Sequence, residues 1–151
     1  MRIALYQPDI PQNTGTILRT AACLGIAVDI IGPSGFDSSD RALRRAGLDY
    51  LDHVELVRHE SFAAFQSWRQ ATGGTRLVLA STKADCSYLD FRFASGDILL
   101  MGRESAGVPD GVRAVADAAV RIPLCAGRRS LNVAVAAAMI VGEALRQIGP
   151  P

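Results

Sequence analysis

Apolar and polar positions along this chain of 151 residues form two alternating patterns. Short, mostly apolar runs predict buried strands over residues 3–6, 27–31, 53–57, 76–80, 97–101 and 119–122. The longer segments between these runs predict helices over residues 13–24, 39–46, 61–71, 109–116 and 130–145. Because strands and helices alternate, and because two of the runs are apolar almost throughout, the pattern predicts an α/β fold around a parallel sheet.

The final helix is predicted to be the most buried of these elements. Residues 133–141 are apolar on every side, so this helix needs cover all round. Ser130 precedes them and is predicted to cap the helix, because a serine hydroxyl accepts hydrogen bonds from free N–H groups. Ser130 and Asn132 give a buried helix a polar beginning, which indicates a functional site there.

The composition of the chain indicates its class of protein and its cellular compartment. Hydrophobic residues make up 49% of the chain and charged residues 21%, as in ordinary globular proteins, and the length suits a single domain over residues 1–151. The chain enters a predicted strand at once, and its longest apolar run is too short to span a bilayer. We therefore expect a soluble, cytoplasmic protein. The three cysteines lie far apart and form no metal-binding motif, so no metal site is expected.

The net charge of +1 does not by itself indicate a nucleic-acid partner, so such a contact needs a local basic patch. In the predicted helix over 39–46, Arg41, Arg44 and Arg45 share one side at i, i+3 and i+4 spacing. The aromatic stripe over 62–68 is interpreted as core, because such stripes usually pack inside a protein. The arginine patch is therefore the predicted contact with an anionic partner.

Three polar loops follow predicted strands, at the edge of a parallel sheet where ligands bind. They cover residues 7–19, 102–109 and 121–132. None contains a glycine-rich nucleotide motif, so dinucleotide and ATP binding are disfavoured. Glu104 is either an acid that caps its own loop or a carboxylate that meets a cation at a pocket. Arg19 either pairs with an acid or meets a phosphate, and Arg103 is either solvated or part of a substrate surface.

Three motifs in these loops agree in order and spacing with those of a known family. They are NTGTILR at 13–19, GRESAGVP at 102–109, and RIPL with RSLNVAVAAA at 121–124 and 129–138. Together they resemble the motifs of SPOUT-class RNA 2′-O-ribose methyltransferases. The segment GPSGFDSSDRALRRAGLDY at 32–50 is similar to the short, single-domain branch that methylates cytidine or uridine at the tRNA wobble position. The resemblance covers residues 1–149.

The resemblance implies a fold and partners that periodicity alone does not. It implies a Rossmann-like parallel sheet whose carboxyl-terminal third forms a trefoil knot, a homodimer, tRNA as substrate and no metal. It also implies S-adenosyl-L-methionine as cofactor, bound in a bent form by the knot loops and released as S-adenosyl-L-homocysteine. The positions that match the cofactor pocket are Gly102, Ile122 and Ser130, with Ala80 and Leu131 beside them.

Four polar positions match those that hold the target ribose or arrange catalysis in the family: Asn13, Arg19, Glu104 and Asn132. Relatives lead to the suggestion that the arginine takes the hydroxyl proton, but an arginine pKa above about 12 leaves almost no neutral base at pH 7. We therefore expect Arg19 to orient the 2′-hydroxyl and a neighbouring phosphate. Arg103 and the three arginines of the 39–46 helix are expected to contact tRNA.

Three positions depart from the usual family pattern. Relatives often carry proline at the position of Arg103, serine at that of Ala134 and an aromatic residue at that of Gly142. These departures leave two alternatives open. The same methyl transfer acts on another tRNA or ribosomal RNA nucleotide, or the chain is an RNA-binding dimer with weak catalytic activity.

Overall fold

The computed structural model describes residues 1–37 and 51–149. The predicted helix over 39–46, with Arg41, Arg44 and Arg45, lies outside the described residues. The strands are Arg2–Tyr6 (β1), Ala27–Ile31 (β2), Leu56–His59 (β3), Arg76–Ala80 (β4), Cys86–Ser87 (β5), Asp97–Met101 (β6) and Ala118–Arg121 (β7). The helices are Pro11–Leu24 (α1), Phe62–Thr72 (α2), Asp110–Ala114 (α3) and Val133–Ile148 (α4), with a 3₁₀ helix at Leu51–His53.

One sheet joins the seven strands of the described ranges in the order β3-β2-β1-β6-β4-β7-β5, and all neighbours are parallel. The predicted α/β class is therefore confirmed. β6 lies at the centre and all five of its residues are buried, which explains the apolar run over residues 98–101. β7 lies between β4 and β5, although these two strands follow each other in the chain. The segment after β7 therefore leaves the sheet from its interior.

Two predicted boundaries are wrong. The strand predicted over 53–57 lies at Leu56–His59, because residues 51–53 form a 3₁₀ helix first. α1 begins at Pro11 rather than Asn13, since proline suits the first turn of a helix, where its missing N–H has no partner to lose. β5 is absent from the prediction because two residues carry no periodic signal, and they form a strand only by pairing with β7.

Alternate side chains of β1 build two apolar layers. Ile3 and Leu5 pack in the layer that includes α1 and α4, whereas Ala4 and Tyr6 pack in the layer that includes α2. The aromatic stripe of α2 belongs to the second layer, where Phe65 is fully buried. The interpretation of this stripe as core is therefore confirmed. With helices on both faces, the loops at the carboxyl edge of the sheet remain available for a site.

α4 differs from its prediction in two respects. Its cap is Asn132 rather than Ser130, because the Asn132 side chain accepts hydrogen bonds from the N–H groups of Ala134 and Val135, at 2.9 and 3.3 Å. One face of α4 packs against α1, but the opposite face is open, with Val135 49% and Met139 39% exposed. Within one chain the helix is therefore only half-buried.

Candidate active site at the carboxyl edge of the sheet

A pocket of about 590 Å³ opens at the carboxyl ends of β4, β6 and β7, and its volume is typical of small-molecule sites. The residues predicted to bind a cofactor all line it: Ala80, Gly102, Ile122, Ser130 and Leu131. The polar residues predicted from the three motifs that also line it are Asn13, Arg103, Glu104 and Asn132. The fold thus brings together residues that are up to 119 positions apart in the chain.

Arg19 is the predicted catalytic residue that the fold does not bring into this pocket. It lies on α1 with an exposed side chain, six residues after Asn13, and is not part of the lining formed by a single chain. Its role at the target ribose stays a prediction. The same is true of Arg41, Arg44 and Arg45, which lie outside the described ranges.

The loop after β6 folds tightly on itself at Gly102. Arg103 and Gly107 form an antiparallel bridge, with N···O distances of 3.0 and 2.8 Å. A Cβ atom on Gly102 would lie 2.8 Å from both the Cα and the carbonyl carbon of Gly107, so a larger residue does not fit. Gly107 itself has a φ of +66°, in the left-handed region that favours glycine. The motif needs both glycines because they set the shape of this pocket wall.

A row of hydrogen-bonded side chains at the pocket joins the three predicted motifs. Asn132 Nδ2 donates to Asn13 Oδ1 at 2.9 Å, and Asn13 Nδ2 donates to Glu104 Oε1 at 3.2 Å. Asn132 Oδ1 in turn accepts from the first N–H groups of α4. These three side chains are the amide–carboxylate row. The sequence predicts them in three separate loops, and the structure places them in direct contact.

Asp9 is a further residue of this site that sequence reasoning missed. Its N–H donates to Glu104 Oε2 and its Oδ1 accepts from the Glu104 N–H, both at 3.1 Å. Its Oδ2 accepts from the Ser105 hydroxyl, and Arg103 Nε lies 3.7 Å from the same oxygen. The available signal in the sequence is that Asp9 follows β1, at the same edge of the sheet as the motifs.

The pKa values of the neighbouring Asp9 and Glu104 carboxyl groups are shifted from their usual values in opposite directions. Burial, followed by the adjacent Asp9 carboxyl, raises the pKa of Glu104 above its usual value. A hydrogen bond with the Glu104 side chain is the largest cause that lowers the pKa of Asp9, to about 2, and bonds from Ser105 and from backbone N–H groups add to it. As the pH falls, Glu104 therefore takes up a proton before Asp9 does.

Other polar groups line the pocket beside this row. Arg113 Nη1 donates to Ser81 Oγ at 3.3 Å, and Lys83 and Asp110 are also part of the lining. In the described ranges, no group of three or more His, Cys, Asp or Glu side chains is placed to hold a metal ion. No helix of residues 1–37 or 51–149 is long and apolar enough to cross a membrane.

The lining combines an apolar floor with a polar rim. Its buried apolar members are Leu79, Met101, Val120 and Ile140, whereas Ser130 and Asn132 are exposed. An apolar floor buries a flat ring system, and polar rim groups fix the orientation of its substituents. The parallel sheet, this pocket and the amide–carboxylate row together define an α/β enzyme that binds a small molecule next to a second, polar substrate.

The family follows from the sequence match. Residues 1–142 match the model of the SpoU rRNA Methylase family, so this chain belongs to that family. A relative from Beijerinckia indica, the tRNA (cytidine(34)-2'-O)-methyltransferase, is 66% identical over 147 residues, which cover 97% of this chain and 91% of the relative. The chain spans nearly the whole length of that relative.

Two solved structures support the same assignment. One, described as structural insights into the 2-OH methylation of C/U34 on tRNA, is 45% identical, with a TM-score of 0.88 and coverage of 97% of this chain and 94% of that chain. The other is the SpoU methyltransferase AviRb from Streptomyces viridochromogenes in complex with the cofactor AdoMet. It is 32% identical, with a TM-score of 0.85 and coverage of 97% of this chain and 60% of that chain. Membership of the family implies that the segment after β7 is threaded as a trefoil knot.

Proposed function

We propose that this chain is an S-adenosyl-L-methionine-dependent methyltransferase that modifies the ribose 2′-hydroxyl of the tRNA wobble nucleotide, cytidine or uridine 34. The observation that carries the proposal is the amide–carboxylate row at a pocket of about 590 Å³. Carboxylate and amide groups suit a ribose hydroxyl, which both donates and accepts hydrogen bonds. The 66% identity to a relative named for this activity supports the choice of nucleotide.

The pocket suits S-adenosyl-L-methionine, whose sulfonium supplies an electrophilic methyl group when the cofactor is bound. The apolar floor is able to bury the adenosyl part. The residues that would hold the cofactor are Ala80, Gly102, Ile122, Ser130 and Leu131, all of which line the pocket. The absence of a side chain at Gly102 lets the Gly107 backbone pack closely against it, which shapes this wall of the pocket.

The amide–carboxylate row would hold the target ribose. Asn13, Glu104 and Asn132 fix one another through hydrogen bonds, so their remaining donors and acceptors have defined directions. Fixed groups that orient a hydroxyl against an already reactive methyl donor supply much of the rate enhancement by positioning. Arg19, as a permanent cation, would orient the hydroxyl and a neighbouring phosphate, not remove the proton.

To test this function, the protein is incubated with methyl-labelled cofactor and unmodified tRNA that carries cytidine or uridine at position 34. We expect label on the ribose of that nucleotide and none on a matched tRNA with a 2′-deoxy residue there. Label at another nucleotide would favour the alternative of a different tRNA or ribosomal RNA target. Binding of tRNA without any transfer would overturn the enzymatic assignment.

The positions that motivated a weakly catalytic RNA-binding dimer do not lie at the pocket. Ala134 is buried and does not line the pocket, and Gly142 lies on the exposed face of α4, where an added Cβ meets nothing within 4 Å. Neither departure removes a group from the pocket. The enzymatic proposal is therefore favoured over this alternative.

We propose a homodimer as the active form. Val135 and Met139 are four residues apart on α4 and are 49% and 39% exposed, so they share one face of the helix. With Leu131, which precedes the helix and is 39% exposed, they form an exposed apolar strip. Gly142 continues this strip without a side chain that would keep a second helix away. A second copy of the chain would cover these side chains, because large exposed apolar strips mark association surfaces.

The double variant Val135→Glu with Met139→Glu tests this dimer. We expect light scattering during size-exclusion chromatography to give a dimer mass for the unchanged protein and a monomer mass for the variant, because two carboxylates would be buried at the contact. Leu89→Glu is the matched control, since Leu89 is 57% exposed and lies outside the strip. A variant that keeps the dimer mass would contradict the proposal.

We further propose that Arg41, Arg44, Arg45 and Arg103 contact the tRNA backbone. Replacing the first three with alanine should reduce the slope of log affinity against log salt concentration by up to about three, because each phosphate contact adds nearly one unit. The control is Arg146→Ala, since Arg146 is exposed and paired with Glu143 on its own helix. An unchanged slope in the triple variant would show that these arginines do not contact the tRNA backbone.

A single methyltransferase domain over residues 1–151, acting in the cytoplasm, completes the proposal. The family match over residues 1–142 and the shared sheet support one domain. The compartment follows from the substrate, because the proposed tRNA target resides there.

A further inference from the structure

Glu104, held by Asp9, is the group that we propose accepts the proton of the ribose 2′-hydroxyl, an inference that rests on the proposed function. As the bond between the ribose oxygen and the methyl carbon forms, the bond between that carbon and sulfur breaks. The electron pair of the broken bond stays on sulfur, which becomes a neutral thioether. The hydroxyl proton moves to a carboxylate oxygen of Glu104, so charge and atoms balance.

The chemistry of the pocket lining leaves few other acceptors. Among the described residues that line the pocket, the side chains with a titratable proton site are Lys83, Glu104, Asp110 and the two arginines. Lysine and arginine are protonated at neutral pH and donate only. Asp110 opens α3 and is not part of the amide–carboxylate row. Glu104 alone of these residues is hydrogen-bonded to the row that would hold the ribose.

The direction of the hydrogen bonds makes Glu104 an acceptor. Because Asn132 Oδ1 accepts from two N–H groups of α4, its Nδ2 must donate to Asn13. Asn13 then presents its Oδ1 to Asn132, and its Nδ2 is left to donate to Glu104 Oε1. Glu104 Oε2 accepts from the Asp9 N–H. A carboxylate has about four acceptor positions, so about two remain for a hydroxyl.

Asp9 is the positioning residue of this arrangement. Its backbone and side chain bind the Glu104 carboxylate and N–H in a reciprocal pair across two loops, and Ser105 is bound to the same Asp9 carboxyl. The charged groups that face the pair are Arg103, whose Nε lies 3.7 Å from Asp9 Oδ2, and the other charged members of the pocket lining, Lys83, Asp110 and Arg113. Burial and the Asp9 carboxyl raise the pKa of Glu104, which makes it a stronger base than an ordinary carboxylate.

The variant Glu104→Gln tests the proton transfer. It keeps the shape of the side chain and removes its basicity, so we expect kcat to fall by about 10²- to 10⁴-fold. The KM for tRNA and the affinity for S-adenosyl-L-homocysteine, measured by calorimetry, should change by less than about threefold. Ser105→Ala is the matched control, because it removes a bond to Asp9 and leaves Glu104 in place, and its kcat should fall less than tenfold.

The variant Asp9→Asn tests the positioning role through pH. Without the neighbouring negative charge, the pKa of Glu104 should fall, so the acid limb of the kcat/KM profile should move to lower pH. Asp9→Glu should restore much of the original profile. Independently of activity, ¹³C NMR titration of the cofactor-free protein should show the same downward move for the Glu104 carboxyl signal, identified by its loss in Glu104→Gln.

The outcomes separate this inference from the proposed function. A Glu104→Gln enzyme that keeps kcat within tenfold, or an Asp9→Asn enzyme with an unmoved acid limb and an unmoved carboxyl signal, would overturn the inference while methyl transfer by the unchanged protein still stood. If Glu104→Gln does not fold, the acid limb of the kcat/KM profile of Asp9→Asn decides. An unchanged protein that transfers no methyl group to any tRNA would overturn both proposals.

Discussion

Carboxylates buried within the parallel sheet and carboxylates at its carboxyl edge have opposite kinds of partner. At the amino edge, Asp97 is 1% exposed and is bonded by Arg76 of the neighbouring strand through two contacts of 2.8 Å. Asp29, in the middle of β2, is fully buried and is bonded by Arg2 at 2.8 Å and by His59 at 2.9 Å. Each of these two acids has an arginine partner, as buried charges require.

At the carboxyl edge, two carboxyl groups face each other instead. Asp9 and Glu104 are joined by hydrogen bonds. Arg103 Nε lies 3.7 Å from Asp9 Oδ2 and forms no hydrogen bond with it. Such a pair stabilises the fold less than an arginine–aspartate pair does, but it separates the pKa values of its members. The pairs of opposite charge lie within the sheet, where they support the fold. The pair of like charge, Asp9 and Glu104, is the mismatched pair, and it lies at the pocket, where perturbed pKa values serve chemistry.

Breaking the buried pair of Asp29 and Arg2 should have the largest effect on stability. Asp29→Ala leaves His59 and one side of Arg2 without an acceptor in the core, so we expect a loss of about 3 kcal/mol in the free energy of unfolding. Urea denaturation measures it. Glu55→Ala is the matched control, because Glu55 bonds the same arginine at 2.6 Å but its side chain is 69% exposed, and it should cost less than about 1 kcal/mol. Equal losses would contradict the contrast.

Gly102→Ala disturbs the carboxyl edge and should have an intermediate effect. The new Cβ would meet the backbone of Gly107 at 2.8 Å, which no side-chain rotation relieves, so we expect about 1–3 kcal/mol of destabilisation. Calorimetry should show weaker binding of S-adenosyl-L-homocysteine as well. Gly111→Ala in α3 is the control, since its Cβ meets nothing within 4 Å and alanine favours a helix. If Gly102→Ala binds S-adenosyl-L-homocysteine as well as the unchanged protein does, the wall at Gly102 is not part of the cofactor site.

The smallest effect should be the pH dependence of stability that arises from the mismatched pair. Because the pKa of Asp9 is lowered in the folded state, its contribution is present above its usual value of 3.8 and is lost as the pH falls toward about 2. Because the pKa of Glu104 is raised, its contribution is present below its usual value of 4.5 and is lost as the pH rises through the raised pKa. Stability should therefore rise with pH in the first window and fall with pH in the second.

Asp9→Asn should alter both limbs of this curve. The acid-side loss should disappear with the carboxyl, and the loss at higher pH should shrink, since one cause of the raised pKa of Glu104 is gone. Unfolding free energies from pH 2.5 to 7 provide the measurement, with Asp90→Asn, in the turn after β5, as a surface control. If the curve for Asp9→Asn parallels that of the unchanged protein, the interaction between Asp9 and Glu104 does not control the pH dependence of stability.

Much of the fold was accessible from local sequence patterns. The strands at Ala27–Ile31, Arg76–Ala80 and Asp97–Met101 match the predicted runs, because a strand covered on both faces is mostly apolar. The strand positions depend only on residue type and spacing over a few positions. The predicted residues of the pocket lining, from Ala80 to Asn132, came instead from the resemblance of the motifs to a known family.

What the sequence by itself determined was therefore the α/β class, most element positions and, through the family motifs, part of the pocket lining. Only the tertiary structure decided the strand order, the pairing of β5 with β7, the cap at Asn132 instead of Ser130 and the open face of α4 at Val135. It also revealed Asp9, whose partner Glu104 lies 95 residues away. The physical reason is that hydrogen-bond partners and burial depend on which loops the sheet brings to one edge, and no local spacing encodes that proximity.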